Sequence, residues 1–353
     1  MTNPNPGRGV LAFLGKHPVV CLLLLSPGIP EYMSGSSPTN ALVLNPPMFV
    51  FQLVANLGLY GPGVLLVREA MVRWRKGWGS VLLLGAAYGI LEEGIALSTL
   101  FDPAANPVGK LGIYGHWLGV SWIWVAGILP VHMIFSISLP ILLLGLAVPR
   151  SRGESLLSRR GLLVVSAVLA LDVALLFALV SGLSHFWMGW PVFVSSILTM
   201  AILVFAARRL PSDALHAESE KPRLGPKSLA VVGALFYTLV IIVEGVRAGT
   251  SAPAVADLLL VLAVQGVFLA IVLRTIGSWG NERNLVALSL GLVLPIAIIG
   301  ALSEARLPLA LLPDLAFFLF LRRLWAEYPA TPLVEPSEED NMGTPTALRR
   351  EVL

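Results

Sequence analysis

Residues Gly79–Phe101 read GSVLLLGAAYGILEEGIALSTLF, and this stretch decides the fold. At 1.5 Å per helical residue, about 20 apolar residues cross the roughly 30 Å hydrocarbon core of a bilayer. The segment has that length and composition, yet it carries Glu92 and Glu93 side by side near its middle. A carboxylate at such depth costs on the order of several kcal/mol, so it faces a bundle interior or a polar cavity rather than lipid. Gly85, Ala86, Ala87, Gly89, Gly94 and Ala96 make the helix thin. Small residues allow close packing, so this segment is expected at the centre of the bundle.

The rest of the chain agrees. Its 353 residues are 56% hydrophobic and 13% charged, against about 25% charged in a soluble domain, and the mean hydropathy is +0.81. The expected fold is an all-α polytopic membrane protein, a bundle of about ten transmembrane helices. The apolar segments run over 18–30, 48–72, 79–100, 117–148, 161–182, 188–207, 228–246, 255–274, 284–303 and 307–324. The first is short and carries Pro27 and Pro30, which is compatible with a re-entrant segment. The fourth either tilts or begins as an interfacial stretch at YGHWLGVSWIW. The tenth is interrupted by Pro313 and Asp314.

Charge tests the count. With a cytoplasmic N-terminus, 20 of the 24 Lys and Arg residues fall in predicted inner segments, and only Lys110, Arg247 and Arg306 in outer ones. Arg68 lies within the second segment. This is the positive-inside pattern, and it puts both termini in the cytoplasm of a multi-pass protein of a bacterial plasma membrane. One transmembrane bundle is expected over residues 1–325, with the loop 208–227 as a hinge between six-helix and four-helix parts. Residues 326–353, polar and rich in Pro and Glu, are expected to be a disordered cytoplasmic tail. The outer connection EYMSGSSPTNALVLNPP has no Lys or Arg and is rich in turn formers, which suits a cap folded over the helices.

Basic residues confined to short loops give no reason to invoke nucleic acid. The single cysteine, Cys21, excludes an internal disulfide and a cysteine-based metal site. The expected partners are the lipid bilayer and a membrane-embedded or outer-side ligand, with no cofactor required. The embedded ionisable residues are Glu92 and Glu93, His132 in PVHMIFSISLP, Asp172 midway along the fifth segment and Asp314 midway along the tenth. Arg68 and Glu69 form a local pair near an inner helix end. At helical spacing Tyr88, Glu92 and Ala96 share a face, Gly89, Glu93 and Leu97 the next, and His132 stacks with Ser136. The third and fourth segments are expected to be antiparallel neighbours, which brings a glutamate to His132. Interhelical hydrogen bonding worth about 1 kcal/mol is one use of such groups. Two adjacent carboxylates exceed what that use requires.

The glutamate pair, with a histidine on the next membrane segment, resembles the glutamic intramembrane proteases of the CPBP or ABI superfamily, which includes the CAAX prenyl endopeptidases. Their pattern is Glu-Glu-x-x-x-Arg, then Phe-x-x-x-His, then a later His with Asn or Asp one turn on. Glu92-Glu93 and His132 match; Leu97 stands at the arginine position and Ile128 at the phenylalanine, and His185 is followed one turn on by Gly189. HMIFS around His132 is also similar to a histidine motif of PrsW-type proteases. The resemblance covers residues 79–140. It implies one glutamate as general base toward water and the histidine as orienting or oxyanion-stabilising group. Two other readings stand beside it. One is a proton- or cation-coupled carrier using Glu92, Glu93, Asp172 and Asp314; the other is a non-catalytic membrane scaffold. Glu92, Glu93 and His132 also number the three protein ligands of an open zinc site.

Overall fold

A computed structural model describes residues 13–106, 108–215, 224–247, 252–275, 282–303, 309 and 311–328. Among them the chain is helical apart from one two-stranded ribbon. Helix α1 (Pro18–Pro27) continues as a π-helical turn over Gly28–Tyr32. After a short α2 (Ala41–Leu44) come α3 (Pro46–Arg73) and α4 (Trp78–Gly89), the latter extended by a π-helical segment, Ile90–Ala96. Helix α5 (Trp122–Val131), a π-helical segment His132–Ser138 and α6 (Leu139–Ala147) form one continuous rod. Then follow α7 (Arg159–Ser184), α8 (Trp190–Arg209), α9 (Pro226–Arg247), α10 (Ala254–Thr275), α11 (Glu282–Ser303) and α12 (Leu311–Glu327).

Eight of these units are long and apolar enough to cross a membrane: α3, α4 with its π extension, the α5–α6 rod, and α7 to α11. The protein is an all-α polytopic membrane protein. The two ends of the chain differ from a simple ten-span reading. The first apolar unit, Pro18–Tyr32, is shorter than the others; at 1.5 Å per residue it reaches about 22 Å, short of the hydrocarbon thickness. Helix α12 has 17 residues, and Pro313 and Asp314 lie in its first turn. They therefore start that helix rather than interrupt it, as a missing N–H is harmless at a helix start. The fourth unit begins at Trp122. His116–Trp117 and Val120–Ser121 pair as an antiparallel ribbon around Leu118 and Gly119, both at positive φ. Residues 216–223 of the expected hinge and 329–353 of the expected tail lie outside the described residues. Tyr328, expected to belong to that tail, instead donates its hydroxyl to the Leu146 carbonyl at 2.7 Å.

Burial confirms the central place of the Glu-Glu helix. Its window is 78% buried, against 11% for α8 and for α10. The physical reason is a close backbone approach. A Cβ at Gly85 would stand 2.9 Å from the Met133 Cα, so α4 and the His132 segment lie side by side only because position 85 has no side chain. Two apolar clusters flank this contact. One joins Ile29 and Met33 to Phe135, Leu139 and the inner faces of α9, α11 and α12. The other joins α1, α3, α4, α7 and Ile137, Ile141 and Leu144 of the rod. The rod is the shared wall.

The irregular helical turns form where proline and glycine weaken the helical register and neighbouring helices supply partners. Prolines at 130 and 140 bracket the His132 segment, and neither returns an N–H to the carbonyl four residues earlier. Those two carbonyls find side-chain donors. Gln265 Nε2 donates to Ala126 O at 2.6 Å, and Ser26 Oγ to Ser136 O at 2.6 Å. Gly89 and Gly94 flank the Glu92–Glu93 turn, and Pro27, Gly28 and Pro30 the turn at Glu31; glycine and proline weaken the ordinary helical register. At the α3 end, Glu69 is held by Arg68 Nη1 at 2.8 Å, Arg73 Nε at 2.9 Å and the Leu156 N–H at 2.7 Å. This network clamps the 149–158 connection to α3, in keeping with a structural role for the Arg68–Glu69 pair.

Candidate acid–base site

Three π-helical turns converge between the two apolar clusters, and each carries a titratable residue: Glu31 on the first, Glu92 and Glu93 on the second, His132 on the third. Single π turns inside helices occur frequently at functional sites. Here the turn changes the register of the glutamates. The Leu97 N–H bonds to Glu92 O, five residues back, so the α-helical stacking expected for Tyr88, Glu92 and Ala96 is interrupted from Ile90 on. The altered register lets both neighbouring glutamates approach one imidazole.

His132 sits between them. Its Nε2 lies 2.9 Å from Glu93 Oε1, and its Nδ1 lies 3.1 Å from Glu92 Oε2 and 3.1 Å from Ser136 Oγ. The contacts differ in kind. Ser136 meets Nδ1 with hydrogen-bond geometry, whereas Glu92 Oε2, though close, has no hydrogen-bond partner. The Glu92 approach is a charge contact off the ring N–H direction. A neutral ring satisfies the arrangement by donating from Nε2 to Glu93 and accepting at Nδ1 from Ser136. An imidazolium satisfies it by donating from both nitrogens.

The two glutamates are therefore not equivalent. Glu93 has both oxygens engaged: Oε1 with His132, and Oε2 as acceptor from the Thr99 hydroxyl. Trp124 Nε1 donates in turn to Thr99 Oγ1 at 3.3 Å. Ser98, at φ +58°, turns the chain after the π segment and brings Thr99 back to Glu93. Glu92 Oε2 is buried and outside hydrogen-bond geometry, in charge contact with His132 and beside the buried Tyr88 hydroxyl. The exposures are 1% for Glu92, 7% for Glu93 and 2% for His132, so the group is sealed. Tyr88 packs over α3 at Gly63, where a Cβ would stand 2.2 Å from its ring.

Sequence reasoning missed Glu31, Tyr60, Thr99 and Trp124. Tyr60 donates its hydroxyl to Glu31 Oε1 at 2.6 Å, and its ring centroid stands 6.1 Å from those of both His132 and Tyr88. Glu31 lies within electrostatic reach of Glu92 and His132. No local pattern signals these contacts: Tyr60 stands 29 positions from Glu31, and Trp124 25 from Thr99. Asp172 places its carboxylate over Gly58 of α3, with Oδ2 buried and unpartnered, and feels the Glu92 charge. Asp314 opens α12, whose Phe317, Leu321 and Leu324 belong to the first apolar cluster. It is not one of the group formed by Glu92, Glu93 and His132.

Those three residues each offer one ligand atom, all within 4.8 Å of one another, the donor count of an open zinc site. A metal there would displace either Glu93 or Ser136 from the imidazole, because both ring nitrogens already face partners.

Helix bundle and site together define a multi-pass membrane protein with a buried carboxylate–histidine cluster at its centre. The chain belongs to a family described as an uncharacterized membrane protein family, whose profile matches residues 20–323. No curated protein and no solved structure matches it.

Proposed function

We propose that the protein is an intramembrane hydrolase of the glutamic type, in which Glu92 is the general base. The observation that carries this reading is the asymmetry of the pair: Glu92 Oε2 has no hydrogen-bond partner, while both Glu93 oxygens are engaged. A base needs an open lone pair within reach of the water it deprotonates. Glu93, fixed by Thr99, orients His132 in the way the third member of a catalytic triad orients its histidine. His132 then stabilises charge developing on the substrate oxygen. The resemblance of Glu92-Glu93 and His132 to the CPBP motifs implies one glutamate as base and a histidine that orients water or stabilises the oxyanion, in keeping with this reading.

The test is a screen of the protein in lipid nanodiscs against fluorogenic peptide and ester libraries. A substrate found for wild type should be turned over about 10²–10⁴-fold more slowly by Glu92→Gln, the usual worth of a positioned base. A substrate cleaved equally well by Glu92→Gln would end the assignment.

A proton-coupled carrier is the second reading, and Asp172 is the observation that favours it. Its unpartnered Oδ2 within the field of Glu92 extends the acidic cluster toward α7, as a proton path requires. Proton uptake by proteoliposomes that depends on both Glu92 and Asp172 would replace the hydrolase reading.

A further inference from the structure

The buried cluster has three carboxylates, Glu31, Glu92 and Glu93, and one imidazole. Ionised throughout, it would hold two negative charges more than His132 can balance, a costly state in a low-dielectric interior. The cluster therefore retains and exchanges protons in any working cycle, and a sealed site needs a route for them. Glu92 and His132 are closed off, but Glu31 is only partly buried. It stands where the chain leaves the π turn and enters the loop 33–45, whose residues 34–40 are mostly polar. Its Oε2 accepts from Ser37 Oγ at 2.8 Å, and Ser37 Oγ accepts from Asn56 Nδ2 at 2.9 Å. Its Oε1 accepts from Tyr60 at 2.6 Å, and Tyr60 is buried against His132 and Tyr88.

We propose that Glu31 and Tyr60 form the proton arm of this site, the route by which protons leave and reach Glu92 and His132 from the end of the bundle where loop 33–45 lies. A proton held at Glu92 moves to the Tyr60 oxygen as the Tyr60 O–H proton passes to Glu31 Oε1. Glu31 then releases it to water at the loop, and the phenol ends as it began. The step between Glu92 and Tyr60 needs one mobile hydroxyl, and the Tyr88 hydroxyl beside Glu92 has no competing hydrogen bond. In this scheme Glu31 is a positioning and relay residue, not a catalytic one. The inference rests on the acid–base reading of the cluster but not on hydrolysis.

The test needs no substrate. The protein, with 15N-labelled histidine, is placed in nanodiscs, and the His132 ring N–H signal is identified among the five histidines by its loss in His132→Gln. Its exchange rate with water is then measured in wild type, Tyr60→Phe and Glu31→Ala. Each variant should slow exchange by about a hundredfold, the low end of what a positioned acid or base contributes. Millimolar formate, a small acid that fits the space left in Glu31→Ala, should restore it. Wild-type exchange in both variants, or slowing in Glu31→Ala that formate leaves untouched, would overturn the proposal. Tyr60→Phe keeps the ring packing and carries the test if Glu31→Ala does not fold. Exchange that depends on the arm, beside a substrate cleaved equally well by Glu92→Gln, would remove the Glu92 hydrolase and leave the arm standing.

Discussion

At the scale of single residues, the cluster separates two chemically identical side chains by their surroundings alone. Gln keeps the shape of Glu and some of its hydrogen bonding but offers an amide where an oxygen stood. At Glu92 the substituted oxygen makes no hydrogen bond and loses only its charge contact with His132, so Glu92→Gln should cost less than the same change at Glu93. At Glu93 one oxygen receives the Thr99 hydroxyl and the other faces His132 Nε2. An amide there meets a donor on one side or the other, and Glu93→Gln should cost about 1–3 kcal/mol, the range for a buried polar group left unsatisfied. Chemical unfolding of both variants in mixed micelles reads the difference. Equal losses would mean that the division into a free and a held carboxylate is wrong, and with it the choice of Glu92 as base.

At the scale of helices, prolines are answered by polar side chains on neighbours. Pro130 leaves the Ala126 carbonyl without its helical donor, and Gln265 of α10 supplies one at 2.6 Å. Gln265→Leu should cost about 1 kcal/mol, in line with hydrogen bonds inside membranes. In a Pro130→Ala background the helical N–H returns, and the same substitution should become nearly neutral. Additive losses in the double variant would show that Gln265 acts through something other than that carbonyl. Such pairings mark the limit of what the sequence discloses. Hydropathy and small residues disclosed the membrane segments, the burial of α4 and the meeting of a glutamate with His132, because length, polarity and a short connection control those features. The π turns were not legible. They arise where Pro130, Pro140, Gly89 and Gly94 weaken the helical register and neighbouring helices supply replacement partners, so they depend on packing. The same holds for Glu31, which reads as a loop residue until the turn at Gly28–Tyr32 folds it onto Tyr60. Thr99 reads as the end of an apolar run until Ser98 adopts a left-handed conformation.

At the scale of the whole molecule, the charge distribution makes a prediction that helix count alone does not. Arg73 ends α3 with Arg75 and Lys76 after it, Arg150 and Arg152 lie between α6 and α7 with Arg159 and Arg160 opening α7, and Arg208 and Arg209 end α8. The positive-inside rule predicts that these three connections share the cytoplasmic side. Five spanning units, α3, α4 with its π extension, the α5–α6 rod, α7 and α8, separate the loop 33–45 from residue 215. An odd number of crossings puts those two points on opposite sides of the membrane. A reporter fused after residue 215 should therefore be cytoplasmic, and one inserted in the loop 33–45 external. The first apolar unit does not enter this parity, so the N-terminus is an independent measurement. Arg8 and Lys16 precede Pro18–Tyr32 and favour a cytoplasmic N-terminus, which requires this 15-residue unit to cross with local thinning of the bilayer or snorkelling at its ends. A reporter at residue 1 on the cytoplasmic face gives that crossing. The same reporter on the external face makes the unit re-entrant, with Glu31 and the loop carried back on the side they entered. Reporters at 215 and in 33–45 on one side of the membrane would break the odd count and, with it, the placement of the proton arm on the external side.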